Sequence, residues 1–230
     1  MKNSLSSSAV RRVTRFVLFA GLALGLTGCE SASNAVFEAK CSLTLEPPSV
    51  EVIAAPVEFS VDHSLSIAQI TAMYPPEYPG WVLGITKANL RKELTFDNTG
   101  LAQRGSGRLC TRPQVKVSLS FTPMQVLIAS DFAANSCKFN EVYAHEMRHV
   151  NAYTDYLPIV AAEVKKQLED ALGSQVHYFK NKEEAQATLE RLLNSMWMPY
   201  LTAKMEQVEH EQGEIDTFEE YDRLSKSCRH

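Results

Sequence analysis

An α+β architecture is expected of this chain: a β-rich N-terminal half with a mostly antiparallel sheet, then a long two-helix C-terminal hairpin. Three observations lead there. Apolar and polar side chains alternate with a period of two in short stretches between residues 40 and 130. From about residue 139 the apolar period lengthens to that of a helix, with few breakers. The composition, 45% apolar and 22% charged over 230 residues with ten Gly and ten Pro, is that of an ordinary globular chain. It excludes collagen, low-complexity disorder and a multi-span membrane protein. A formal charge of -4 leaves no basic footprint for nucleic acid.

Residues 1–28 read as a leader. Lys2, Arg11, Arg12 and Arg15 precede an apolar run from Phe16 to Thr27, and no acid occurs before Glu30. A helix of that run reaches only about 18 Å, short of a hydrocarbon core of about 30 Å. A basic segment followed by a short apolar one is the pattern of a secretory signal. The run ends Leu26-Thr27-Gly28-Cys29, which resembles a bacterial lipobox. The resemblance implies a lipid-modified Cys29 at the mature N-terminus and a membrane attachment through that lipid. Glu30 in place of Asp implies the outer membrane, facing the periplasm. Residues 29–39 are then the lipidated Cys and a tether, and 40–230 the folded domain. Without the leader, 19 basic side chains face 27 acidic ones, near -8, so charge does not draw the domain to an anionic membrane.

Within the domain, Val50 and Val52, then Val57, Phe59 and Val61, alternate in stretches bounded by Pro47-Pro48 and Pro56. Residues 74–80 hold three prolines and read as a loop, and Asn98-Thr99-Gly100 and Gly105-Ser106-Gly107 read as turns. Gln114 to Phe121 places Val115, Val117, Leu119 and Phe121 on one face, a half-buried strand and the expected exposed edge for pairing with an extended peptide. A helix is expected from Lys138 to Leu172, kinked or restarted at Pro158. After a turn at 173–181, Leu189, Leu192, Leu193, Met196, Trp197, Tyr200 and Leu201 form the apolar stripe of a second helix.

Four cysteines remain besides Cys29, an even number suited to two disulfides in an oxidising compartment. Three connectivities are open. The preferred one pairs Cys110 with Cys137, stapling sheet to helix, and Cys41 with Cys228, tying the chain ends. No two of them stand at zinc-binding Cys spacing.

His145-Glu146-Met147-Arg148-His149 is an HExxH motif inside the first helix. Two imidazoles at i and i+4 share a face and can both reach one zinc ion at about 2.0–2.1 Å. Glu146 can serve as general base toward a metal-bound water. A third ligand is needed. The metzincin extension of the motif has Gly and then His where this chain has Ala152 and Asp155. An antiparallel return of the second helix brings about residues 206–214 level with the motif. Heptad counting from Leu189 and Met196 turns His210 inward, making it the expected third ligand, with Glu214 or Asp155 as alternates. Tyr153, one turn beyond His149, is either packed or a donor to a developing oxyanion.

The motif, its place in a helix after a β-rich half, and the paired cysteines together resemble the zincin metallopeptidases. More narrowly they resemble uncharacterised bacterial secreted zinc-dependent protease families of the peptidase MA-like clan. The residues carrying the likeness are Cys110, Cys137, His145, Glu146, His149 and the tail Gln212-x-x-Ile215-Asp216 with Tyr221. The resemblance implies His145 and His149 as zinc ligands, Glu146 as catalytic base, and hydrolysis of a peptide or protein substrate. The competing expectation is a non-enzymatic envelope lipoprotein, a binding module whose metal site is structural or vestigial.

Overall fold

The structure, a computed structural model, describes residues 27–74 and 80–228. The chain divides into two compact units, Met1–Lys40 and Cys41–His230. Helix α1 spans Thr27–Thr44, so the segment read as a tether is helical. The leader, apart from the backbone of its last two residues, and the side chain of Cys29 lie outside the described residues. Among the described residues no helix is long and apolar enough to cross a membrane.

The main sheet is organised around one long strand, here β6 (Gln114–Ile128). Two shorter strands, β1 (Ser49–Ala54) and β2 (Phe59–Asp62), pair with it in parallel, one after the other along the same edge: Ser49 opposite Gln114, Phe59 opposite Met124. Between β2 and the next strand lies the short helix α2 (Ile67–Thr71), closed by a capping box of Ser66 and Gln69. Strand β3 (Gly84–Asp97) covers the other edge of β6, antiparallel, from Gly84 opposite Ile128 to Asp97 opposite Gln114.

Two of the three pairings are therefore parallel, and the expectation of a mostly antiparallel sheet is corrected. Alternation reveals which face of a strand is buried, and Val115, Val117, Leu119 and Phe121 are indeed buried. It carries no information about strand direction, which depends on how distant segments connect. The role expected of residues 114–121 is corrected for the same reason. They belong to the central strand, paired on both sides, and the edges left open among the described residues are that of β3 on one side and those of β1 and β2 on the other.

A smaller antiparallel sheet joins β4 (Gly100–Ala102), β5 (Leu109–Thr111) and β7 (His177–Phe179). Gly100 is required there: a Cβ at this position would stand 1.9 Å from the Cys110 carbonyl oxygen.

Three helices follow the main sheet where a hairpin of two was expected. Helix α3 (Cys137–Leu172) starts at Ser136, whose hydroxyl accepts the Phe139 amide, and passes through Pro158 without restarting. It ends at Gly173, which takes φ 59°. Helix α4 (Lys182–Ile215) is capped by Asn181. Asp216 leaves helical geometry, Thr217 caps anew, and α5 (Phe218–Lys226) returns to the start of α3. Helix α3 lies between the sheet and α4. Val142, Val150, Leu157, Val160, Val164 and Leu168 share one buried cluster with β6 and with Leu193, Trp197, Leu201 and Val208 of α4.

The disulfides are Cys41–Cys110 and Cys137–Cys228, which corrects the expected pairing of Cys110 with Cys137 and Cys41 with Cys228. The small sheet turns Cys110 toward Cys41 in the last turn of α1, and α5 brings Cys228 back to the first residue of α3.

Candidate metal centre

The HExxH helix face is built by spacing and closed by burial. His145, Glu146 and His149 are 4%, 3% and 7% exposed, beneath β3 and against the end of α4. The ring nitrogens of the two histidines converge on a residue 71 and 67 positions away. Asp216 Oδ1 lies 3.1 Å from His145 Nε2 and 3.2 Å from His149 Nε2, and the two Nε2 atoms are 3.4 Å apart. Tetrahedral coordination with bonds of about 2.0–2.1 Å spaces ligand atoms about 3.3 Å apart. The three atoms thus form one face of such a site, and these residues can hold a metal ion.

The tautomers follow from what lies behind each ring. His149 Nδ1 donates to Gln212 Oε1 at 2.6 Å, and His145 Nδ1 donates to Glu220 Oε1 at 3.2 Å. Both partners are acceptors, so each neutral imidazole keeps its proton on Nδ1 and turns an Nε2 lone pair inward. Two lone pairs and a carboxylate oxygen then face one point, an arrangement that only a cation or added protons relieve. Gln212 and Glu220 stand where the outer partners of metal-binding histidines are found. Glu220 is itself held by Arg148 at 2.9 Å and by both nitrogens of the Arg223 fork at 2.9 and 3.0 Å. Arg223 reaches on to Glu141 of α3 at 2.6 Å.

Glu146 faces the other side. Its Oε2 accepts the Thr86 hydroxyl of β3 at 2.9 Å. Gly84 makes room for it, since a Cβ there would stand 2.7 Å from both Glu146 Oε1 and Val142 Cγ1. Burial pushes the Glu146 carboxyl up, against the pull of the two imidazoles and the Thr86 hydroxyl. Burial opposes charge on the His149 ring, but its bonds to Asp216 and Gln212 outweigh it and raise the pKa. Asp216 moves the opposite way: burial disfavours its charge, yet the two imidazoles hold the carboxyl well below the usual range. The Arg223 guanidinium holds Glu220 down, to about 2. Tyr153 is pushed up to about 12 by burial and by Glu209, to which its hydroxyl donates at 3.5 Å.

Of the residues expected from the sequence, His145, Glu146, His149 and Tyr153 line one cavity of about 760 Å³. His210 does not: it is exposed on α4, as is Glu214, and Asp155 is exposed on α3. The expectation of His210 beside the motif is corrected: the residue that completes, with His145 and His149, a group able to hold a metal is Asp216. The physical reason is phase. A 3.5-residue count drifts about 20° per heptad from a straight helix, so from Leu189 it passes through Met196, which is 39% exposed, and arrives at the wrong face. The buried residues of α4 run Ala185, Leu189, Leu193, Trp197, Leu201, Val208, Gln212. A second signal was available in Thr217-x-x-Glu220, a helix-start pattern that marks a break at Asp216.

Comparison with protein-family models, with curated proteins and with solved structures found no match.

Proposed function

We propose that this protein is a zinc-dependent peptidase, attached to the cell envelope by a lipid on Cys29. The observation that carries the reading is the meeting of His145 Nε2, His149 Nε2 and Asp216 Oδ1 at 3.1–3.4 Å, each imidazole locked from behind by an acceptor. Three protein ligands would leave a bound zinc open to water, which supports a catalytic site over a closed structural one. His145, His149 and Asp216 all line the cavity, so a metal held by them would be reached from it. When bound, zinc supplies Lewis acidity and a water whose pKa falls toward about 7.

The protein's own groups supply the rest. Glu146 takes up the proton of the attacking water at its carboxylate. Its raised pKa brings its proton affinity closer to that of such a water, and the Thr86 hydroxyl keeps its orientation. Gln212 and Glu220 keep both ligand rings in the metal-binding tautomer. The open edge of β3 can pair with an extended polypeptide and lay its backbone beside Glu146.

The test is zinc content together with hydrolysis of a denatured protein such as casein. Near-stoichiometric zinc is expected in the purified protein, unchanged by His210→Ala and lost with His145→Ala or Asp216→Ala. Glu146→Gln should keep zinc and lose hydrolysis by at least a hundredfold. Zinc-free, folded wild-type protein sinks the metal reading, and casein hydrolysis untouched by Glu146→Gln sinks the peptidase. Labelling of cells with a palmitate analogue, abolished by Cys29→Ser, tests the anchor.

A further inference from the structure

Two large aromatic side chains stand in water beside the metal centre. Trp81 is 70% exposed and Phe218 is 81% exposed. Both line the cavity that holds His145, Glu146 and His149. Neither is left loose by the fold. Trp81 precedes Val82, which is buried and whose amide donates to the Thr71 hydroxyl at 2.9 Å. Phe218 is the first residue of α5, two residues after Asp216, and Thr217 caps that helix. One aromatic therefore comes from the β3 side of the cavity and the other from the α5 side.

A single exposed apolar residue needs no explanation. Here the two aromatics continue into Val82, Leu83, Ile85 and Leu224, which line the same space. The polar groups of the cavity belong largely to its catalytic end, with Glu146 and Asp216. A metal and one water need far less than about 760 Å³, since a water occupies about 30 Å³. The remaining volume is of ligand size and its walls are apolar, so it gains most from covering an apolar group.

Resting on the peptidase reading, we infer that Trp81 and Phe218 determine specificity: the site takes extended polypeptide segments that present a large apolar side chain, aromatic above all, which these two residues cover. Acidic or small side chains at that place leave both aromatics in water and are bound more weakly.

The experiment is a binding titration on the whole protein carrying Glu146→Gln, which prevents turnover. The probes are end-blocked peptides of one sequence with Phe, Ala or Glu at the central position. Trp197 is 2% exposed, so a change in intrinsic fluorescence reports on Trp81; calorimetry gives the affinity where Trp81 is replaced. The Phe peptide should bind about tenfold or more tightly than the Ala and Glu peptides. Trp81→Ala and Phe218→Ala should each reduce that preference to within about threefold, with zinc content unchanged, while Phe218→Leu keeps most of it. Equal binding of the three peptides, no binding at millimolar concentration, or a preference unmoved by either alanine variant overturns the proposal. Zinc content, measured on the same samples, distinguishes this outcome from failure of the metal reading, because an aromatic preference can be read in zinc-free protein.

Discussion

Gly84 shows how much of this site depends on a single missing carbon. Its backbone runs where any Cβ would press on Glu146 Oε1 and Val142 at 2.7 Å and on the Leu127 carbonyl at 3.0 Å. The neighbours are buried and cannot all give way. Gly84→Ala is expected to cost about 1–3 kcal/mol in urea unfolding, as overpacking does. On the peptidase reading it should also lower turnover at least tenfold, by moving the carboxylate, with zinc content unchanged. Gln212 works through its neighbour in a different way. Its Oε1 is the acceptor that holds His149 in one tautomer, and the residue is only 7% exposed. Gln212→Ala should weaken zinc binding about 10–100-fold, the usual effect of losing an outer partner, which a competition titration with a chelator measures. A variant that binds zinc as the wild type does would show that the ring is held by packing alone.

Helix α5 is short, and Leu224 is its one buried residue among those described. Its attachment to α3 is instead covalent and ionic: Cys137–Cys228, Lys138 to the Leu224 carbonyl and the Ser227 hydroxyl, and Arg223 to Glu141. Asp216 sits at the joint between α4 and α5, and Glu220 lies within α5, so this fastening places both the proposed third ligand and the partner of His145. Replacing Cys137 and Cys228 together by Ser should lower zinc affinity about tenfold. Replacing Cys41 and Cys110 should leave that affinity within about twofold. Each pair should lose about 2–5 kcal/mol of stability, because each closes a long loop, 91 and 69 residues. Equal zinc affinities in the two double variants would remove α5 from the account of the site. Thr217→Ala is the milder probe of the same joint, with an expected loss of about 1 kcal/mol from the missing cap.

Sheet, α3 and α4 form one core, and the His145, His149 and Asp216 group would let a bound metal hold α3 and the α4–α5 joint at one point. Metal should therefore stabilise the whole unit. At zinc concentrations about 100 times the dissociation constant the gain is about 2.7 kcal/mol, visible as a rise in melting temperature that chelation reverses and His145→Ala lacks. Several parts of this arrangement are legible in the residues alone. HExxH marks His145, Glu146 and His149, which the fold buries together, its helix begins one residue from the expected place, and the alternation of 114–121 marks the strand beneath it. These are local properties, set by the periods of helix and strand and by the chemistry of caps. Asp216, Gln212, Glu220, the disulfide pairing and the open edge of β3 belong to the tertiary structure. Each depends on how phase accumulates along 34 residues of α4, on the break after it, and on which strand neighbours β6. A drift of about 20° per heptad is harmless within one turn and decisive across several, which is why the motif could be read from the chain and the carboxylate that meets it could not.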